Sequence, residues 1–194
     1  MRALMIGGTG PTGPHIVNGL LERGYSVEMF HSGRNEIPEI PDEVVHIHAD
    51  AYDPVAIAKV VEGRTWDLCM ASYGRLRSIA ELTSGKVGRF LSIGGFPALL
   101  GYMNPYAFEP NGMPVPTPVD GPVVRDERLD TKGFRIVKTE ESVLEHQPEA
   151  THFRYPFVYG PRQPVPREWL IVRRILDRRP FIVLPDGGLT LHHF

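Results

Sequence analysis

The sequence predicts a doubly wound α/β fold built on a parallel sheet, and three observations support that prediction. Short apolar runs alternate with segments of helical spacing along most of the chain. The first run, Arg2 to Ile6, leads through a glycine-rich turn into a helix and then a second strand, which is a βαβ unit. The run from Asp67 to Ala71 is almost wholly apolar, as expected of a strand buried on both faces of a sheet.

The remaining elements follow the same alternation. Helix spacing predicts a helix between the glycine turn and Gly24, and Asp53-Pro54 supplies the cap and first-turn proline of the next one. Residues 96–123 contain seven prolines and show neither helical nor strand periodicity. This segment predicts a long substrate-side loop, with a disordered insertion as the alternative. Further strands are predicted at 25–30, 43–48, 67–71, 89–93, 151–155 and 181–184, and further helices at 55–62, 76–82, 131–146 and 166–179.

Composition narrows the classes of function. The 194 residues include 20 glycines and 19 prolines, about a fifth of the chain and well above average, so turns and close backbone approaches are expected. The net charge of −2 argues against nucleic acid and membrane surfaces as partners, and no apolar run approaches the ~20 residues of a membrane span. The lone Cys69 favours a reducing, cytoplasmic location, and the immediate first strand predicts no signal peptide.

The turn after the first strand is the strongest functional signal. It places Gly7, Gly10 and Gly13 around Pro11 and Thr12, between a strand and a helix. Gly7 permits the tight turn, Gly10 lets the backbone approach a pyrophosphate, and Gly13 allows the helix to pack closely. Amides at the helix start would hold the anion. The spacing therefore predicts a Rossmann-type dinucleotide site, with a simple glycine-rich turn as the alternative.

The end of the second strand bears on the choice of cofactor. An NAD site places an acid there to bind the ribose 2′-hydroxyl, but this chain reads Phe30-His31-Ser32-Gly33-Arg34. Arg34 and Ser32, with His31 beside them, suit a 2′-phosphate instead. The sequence thus predicts NADP, with NAD as the alternative cofactor and a merely solvated Arg34 as the alternative interpretation.

The spacing GxxGxxG resembles that of the extended short-chain dehydrogenases/reductases, the NAD-dependent epimerase/dehydratase group. The resemblance covers essentially the whole chain and implies contacts to adenine by Asp50-Ala51 and to ribose by the Ala71-Ser72-Tyr73 segment. It further implies that Tyr155, Pro156, Phe157 and Val158, within a segment similar to RxxxVYGP, lie near the nicotinamide. Its implied domains are a Rossmann domain at 1–161 and the start of a small substrate domain at 162–194. The resemblance thus predicts a chain that is incomplete relative to the family, with a fragment, an ordered portion or a natural short form as the alternatives.

The chain departs from the family at the catalytic centre. A Tyr-x-x-x-Lys pair is expected on a helix, but the spacing is occupied by Phe134 and Lys138. The Ser or Thr expected after the fifth strand aligns with Gly95, and Ser92 lies too early and is expected to be buried. A tyrosine hydroxyl, its pKa lowered by the lysine, exchanges the substrate proton, which a phenyl ring cannot do. Lys138 retains the implied role of binding the nicotinamide ribose, with a surface lysine as the alternative.

These departures leave three functions open. The leading one is an atypical reductase or epimerase acting on a small sugar-like or carbonyl metabolite, with Lys138, Tyr102 and Tyr73 as catalytic candidates. The second is a non-catalytic dinucleotide-binding sensor or scaffold. The third is an RNA-binding relative, because arginines cluster between residues 162 and 179, although acidic residues interleave with them.

Metal binding and assembly are the remaining sequence-level expectations. The adjacent His192 and His193 lack partners at ligand spacing, and His46 and His48 are interpreted as the exposed face of a strand, so no metal site is predicted. The resemblance implies a homodimer. Trp169, Val172, Ile175 and Leu176 are expected to face inward from their helix.

Overall fold

The computed structural model describes residues 1–72, 74–163, 165–166 and 168–182. Its centre is a six-stranded sheet with the strand order β3-β2-β1-β4-β5-β6. β1 pairs in parallel with both β2 and β4, β2 with β3, and β4 with β5. The strands are β1 (Arg2–Ile6), β2 (Ser26–His31), β3 (Val45–His48), β4 (Trp66–Ala71), β5 (Val87–Gly95) and β6 (Thr151–Tyr155).

Five α-helices connect or follow the strands within the described part of the chain. The second begins as predicted, because the Asp53 carboxylate accepts a hydrogen bond from the Val55 amide at 2.9 Å and Pro54 occupies the first turn. The helices are α1 (Gly13–Glu22), α2 (Pro54–Val61), α3 (Leu76–Leu82), α4 (Thr131–His146) and α5 (Trp169–Leu176). None of the described helices is long and apolar enough to cross a membrane.

The core lies on both faces of the sheet. Successive residues of β1 point to opposite sides, so Leu4 and Ile6 belong to one apolar cluster while Ala3 and Met5 belong to another. All four side chains are fully buried. This explains the continuous apolar runs in the sequence, since a strand covered on both faces has no solvent-facing positions to fill with polar residues.

The chain forms two compact units. The first consists of residues 1–94 and 139–153 and contains β1 to β4 and the glycine turn. The second consists of residues 95–138 and 154–194 and contains the long loop, which forms two short 3₁₀ turns at Phe96–Ala98 and Pro105–Ala107. The predicted domain boundary after residue 161 stays a prediction.

The end of the described chain differs from the sequence-based expectation. Residues 181 and 182 are not in a strand, and residues 183–194, with His192 and His193, lie outside the described residues. The apolar side chains of α5 are not turned inward: Trp169 is 47% exposed and Ile175 66% exposed. The expectation was wrong because amphipathic spacing identifies an apolar helix face but does not supply the surface that covers it.

Candidate functional site

The glycine turn connects the centre of the sheet to α1. Gly7 and Gly8 follow β1 directly and have positive φ angles of 89° and 109°, which L side chains rarely adopt. The Gly7 amide donates to the Phe30 carbonyl at 2.9 Å and so holds the turn against the end of β2. Gly8 is a further constrained glycine of the turn that the three-glycine spacing does not include, since a Cβ there would lie 2.8 Å from the Met29 sulfur.

The other two glycines have opposite surroundings, as their predicted roles require. A Cβ on Gly13 would overlap the backbone carbonyl of Gly8, so only glycine lets α1 start this close to the turn. A Cβ on Gly10 would meet nothing within 4 Å. The space that a side chain would occupy is therefore open at Gly10 and filled by the chain's own backbone at Gly13.

The N-terminus of α1 has the electrostatic character of an anion site. Thr12 is its N-cap residue, but the Thr12 side chain forms no capping hydrogen bond, and Pro14 sits in the first turn. The Gly13 amide donates to the Gly10 carbonyl at 3.1 Å and Pro14 has no amide hydrogen, so neither is available to an anion. The helix dipole still places partial positive charge at this end of α1. With Pro11 and Thr12 at its edge, the turn can accept the phosphates of a dinucleotide.

The ends of β3 and β4 lie in the same compact unit as the glycine turn. Ser72, directly after Ala71, donates both its amide and its hydroxyl to the Ile6 carbonyl, each at 3.0 Å, so it is fixed to the end of β1. Asp50 is exposed, and one of its carboxylate oxygens accepts the Tyr52 amide at 2.8 Å. Ala51 is buried, and its carbonyl accepts the Arg75 amide at 2.8 Å.

The end of β2 presents a cation and a hydroxyl to solvent. Ser32 and Arg34 are both exposed, and Arg34 forms no ion pair with another described residue. A positive φ of 73° at Gly33 makes the bend between them. Glu28, the nearest acid in β2, is engaged elsewhere: its carboxylate pairs with Arg2 at 2.7 Å and with Arg64 at 3.1 Å.

His31 is the buried member of this segment and is 5% exposed. Its Nε2 lies 2.7 Å from Nδ1 of His46, and its Nδ1 accepts the Gly33 amide at 3.2 Å. Burial lowers the pKa of His31, the neighbouring His46 and His48 lower it further, and Glu36 opposes them. His31 therefore favours its neutral form and contributes less positive charge to a phosphate than Arg34 does.

The second unit contains Phe134 and Lys138, the two positions that match the Tyr-x-x-x-Lys spacing. Phe134 and Lys138 lie one turn apart on α4, with the lysine nitrogen 5.6 Å from the centre of the half-buried ring. A Cβ on Gly95 would approach Pro97 Cδ to 3.2 Å and Ile136 Cδ1 to 3.4 Å. The space beside Gly95 is thus already filled by apolar atoms, and a serine or threonine there would force its neighbours to shift.

Of the two tyrosines predicted to replace the missing catalytic tyrosine, the structure describes only Tyr102. Tyr102 is 9% exposed and its ring packs edge-on against Phe96, with centroids 5.4 Å apart. Tyr73 lies outside the described residues. Tyr155 at the end of β6 and Phe157 and Val158 just after it are half-buried, and Pro156 is exposed.

The Ser92 hydroxyl and the Cys69 thiol are both buried in the first unit. The Ser92 hydroxyl is fully buried and lies 2.7 Å from Nδ1 of His152, whose Nε2 is 3.7 Å from the Glu140 carboxylate. A Cβ on Gly94 would overlap the His152 ring. Ser92 is therefore a buried hydrogen-bonding residue, as the sequence predicts. Cys69 is also fully buried, and burial raises the pKa of its thiol, which makes it an inert core residue.

Several solved structures have a fold similar to that of this chain. UDP-glucose 4-epimerase of Thermotoga maritima, solved with UDP-glucose, aligns with a TM-score of 0.70 and 19% identity over 96% of this chain and 67% of that one. The chain has the fold of the NAD-dependent epimerases and dehydratases. The predicted resemblance is thus confirmed at the level of the fold.

Two other structures agree with this result. Bordetella bronchiseptica WbmG, solved with NAD, aligns with a TM-score of 0.67 and 17% identity over 92% of this chain and 60% of its own. Bacillus anthracis dTDP-glucose 4,6-dehydratase, solved with NAD, aligns with a TM-score of 0.65 and 14% identity over 96% of this chain and 65% of its own. The chain thus spans about three fifths of the length of WbmG. No family model and no curated protein matches the sequence.

Proposed function

We propose that the protein binds NADP(H) and acts as an atypical reductase or epimerase on a small sugar-like or carbonyl metabolite. The observation that supports this most strongly is the pairing of a closed Gly13 with an open Gly10 in the turn before α1. A turn that served packing alone would have no need of glycine at position 10, where a side chain would meet nothing.

The residues of the first unit fit the adenosine and phosphate portions of a dinucleotide. The glycine turn and the start of α1 suit the pyrophosphate, and we assign Asp50 and Ala51 to adenine and Ala71 and Ser72 to the ribose. The Ser72 hydroxyl already donates to Ile6, so it can offer a lone pair to a ribose hydroxyl without losing that bond.

The preference for NADP over NAD rests on the end of β2. A 2′-phosphate needs a cation with free hydrogen-bond donors, and Arg34 is exposed and unpaired among the described residues. An NAD site would need a carboxylate here, but Glu28 is held by Arg2 and Arg64. Two of the structures named above, WbmG and dTDP-glucose 4,6-dehydratase, were solved with NAD, so the proposed preference for NADP would distinguish this chain from those two proteins.

The chemistry at the substrate would differ from that of the family. A bound nicotinamide would supply or accept hydride, while the protein would have to provide the accompanying proton. Phe134 has no titratable atom, so Lys138 and Tyr102 remain the proposed catalytic residues among those described. Lys138 is proposed for the nicotinamide ribose hydroxyls, and Tyr155, Pro156, Phe157 and Val158 for the surroundings of the nicotinamide.

Replacing Arg34 tests the proposed 2′-phosphate contact. In Arg34→Ala we expect NADPH to bind roughly tenfold to a hundredfold more weakly, since a hydrogen bond to a charged group contributes about 1.5–3 kcal/mol. NADH affinity should change little, because NADH has no phosphate at that position. Calorimetric titrations of both variants with both cofactors at one salt concentration measure the difference.

Arg23→Ala is the matched control for this experiment. Arg23 is exposed and follows the opposite end of α1, where it donates to the Gly19 carbonyl at 2.7 Å. The Arg23→Ala substitution removes one positive charge without changing the end of β2, so NADPH affinity should stay near that of the parent chain. An equal loss in both variants, or an equal loss of NADPH and NADH in Arg34→Ala, would refute the specific contact.

A second function, a non-catalytic NADP(H) sensor or scaffold, is favoured by a separate observation. Phe134 replaces the proton-exchanging group, and apolar atoms of Pro97 and Ile136 surround Gly95, where the partner hydroxyl is expected. This function requires cofactor affinity without turnover. A screen of sugar and carbonyl substrates with NADPH distinguishes the two, since any cofactor oxidation that depends on the protein excludes the sensor.

A further inference from the structure

Three histidines and a glutamate meet at the end of β2 and β3. One ligand atom from each of His31, Glu36, His46 and His48 lies within 4.8 Å of the other three. His31 Nε2 and His46 Nδ1 are 2.7 Å apart, and His48 Nε2 and the Glu36 carboxylate are 2.9 Å apart. The sequence gives no indication of this cluster, because its members are spread over 18 residues and two strands.

Strand register produces the cluster. β2 and β3 pair in parallel with His31 opposite His48, and partner residues of neighbouring strands point to the same face. His46 lies two residues before His48 and therefore shares that face. The three rings form edge-on contacts with centroids 4.9 to 5.8 Å apart. A shift by one residue would put His31 and His48 on opposite faces.

The turn after β2 completes the arrangement. Gly33 has a φ of 73°, and a Cβ there would approach the His48 ring to 3.3 Å. Glycine at this position allows the chain to reverse direction and leaves room for the His48 ring beside the turn. The reversal brings Glu36 back to the histidines. His31 is buried, His46 is half-buried, and His48 and Glu36 are exposed, so an ion could enter from solvent.

From this geometry we propose that His31, His46, His48 and Glu36 form a binding site for one zinc ion or a similar imidazole-preferring divalent metal. Three imidazoles and one carboxylate supply four ligands of the types zinc prefers, and hard cations such as Mg²⁺ prefer an all-oxygen set. In a tetrahedral site with Zn–N distances near 2.1 Å, ligand atoms lie about 3.4 Å apart. The present separations reach that value by small side-chain movements.

Binding exchanges two hydrogen bonds for metal–ligand bonds. The Gly33 amide donates to His31 Nδ1, so in the metal-free protein His31 holds its proton on Nε2 and donates it to His46. Ligation through His31 Nε2 transfers that proton to Nδ1 and removes the acceptor of the 3.2 Å bond from Gly33. With four protein ligands the site is closed, so its effect is to join β2, β3 and the intervening turn and to stabilise the fold.

The test is a metal titration of the whole chain after treatment with chelator and removal of the chelator. We expect one zinc per chain, a rise in melting temperature with added ZnCl₂, and no response to MgCl₂. Cobalt substitution should give the intense visible absorption of a tetrahedral site. His48→Gln and His46→Gln should each weaken zinc binding by at least about tenfold, the lower end of the loss caused by removing even a supporting residue of a metal site.

Two controls keep the result interpretable. His15→Gln changes an exposed histidine of α1 that lies outside the cluster, and the double variant His192→Gln/His193→Gln removes adjacent histidines that could bind metal on their own. Both should bind zinc as the parent chain does. Absence of zinc binding in the parent chain, retention of binding in His46→Gln and His48→Gln, or loss in the double variant overturns the proposal. These zinc-binding measurements are made without NADPH, so their outcome is independent of the proposed cofactor binding.

Discussion

Gly13→Ala is expected to abolish tight NADPH binding and to destabilise the fold. The added Cβ would overlap the backbone carbonyl of Gly8, and no side-chain rotation can relieve a contact with backbone. The turn must therefore open, at a cost of roughly 1–3 kcal/mol typical of overpacking. Because the amides that would hold the phosphates move with the turn, we expect at least a tenfold loss of NADPH affinity (about 1.4 kcal/mol), measured by calorimetry beside thermal unfolding.

Gly10→Ala and Gly19→Ala separate the effects of folding and binding. A Cβ on Gly10 meets nothing within 4 Å, so this variant should keep its melting temperature but bind NADPH more weakly if a pyrophosphate lies against it. A Cβ on Gly19, within α1, meets only the end of the Arg23 side chain, and both stability and binding should be retained. Unchanged NADPH affinity in Gly10→Ala would mean that the turn serves packing alone.

Phe134→Tyr is expected to produce the largest gain. It adds one hydroxyl to a half-buried ring one helical turn from Lys138, whose nitrogen is 5.6 Å from the ring centre. An ammonium nearby lowers the pKa of a tyrosine hydroxyl, and a positioned general acid contributes roughly 10²–10⁴-fold to rate. NADPH oxidation across a panel of sugar and carbonyl substrates should rise by at least about a hundredfold.

The matched control is Phe153→Tyr, which adds the same hydroxyl to a ring 42% exposed on β6. Its rate should equal that of the parent chain. A Gly95→Ser/Phe134→Tyr double variant adds the second missing hydroxyl, but the serine must displace Pro97 or Ile136 slightly. If Phe134→Tyr binds NADPH normally and remains as slow as Phe153→Tyr, the missing tyrosine hydroxyl is not what limits turnover. The sensor is then favoured unless the parent chain itself oxidises NADPH, as the proposed roles of Lys138 and Tyr102 require.

Local signals in the sequence predicted the fold and the glycine turn well. The apolar run of β1, the helix at Thr131–His146 and the strand at Thr151–Tyr155 have the bounds that periodicity gave. The parallel sheet was predicted from alternating strands and helices with short connections, and the pairs β1–β2, β1–β4, β2–β3 and β4–β5 are parallel. Gly13 could be assigned to close packing because turn, helix and strand are adjacent in the chain.

Contacts set by strand register could not be predicted. His46 and His48 were interpreted as one face of a strand, but the sequence does not say which residue of β2 faces them, so His31 was grouped with Ser32 and Arg34 instead. The exposure of the apolar face of α5 could not be predicted either. The spacing of apolar residues identifies that face but does not show whether another part of the protein packs against it. For the histidines, the decisive partner is distant in sequence.

The most direct test of the proposed function is one calorimetric titration of the parent chain with NADPH, followed by NADP⁺, NADH and NAD⁺ under the same conditions. From the proposed function we expect saturable binding of one NADPH per chain, tighter than that of NADH, through the glycine turn and Arg34. If none of the four dinucleotides binds, the turn at Gly7–Gly13 is a structural feature of the fold and both the enzyme and the sensor proposals are wrong.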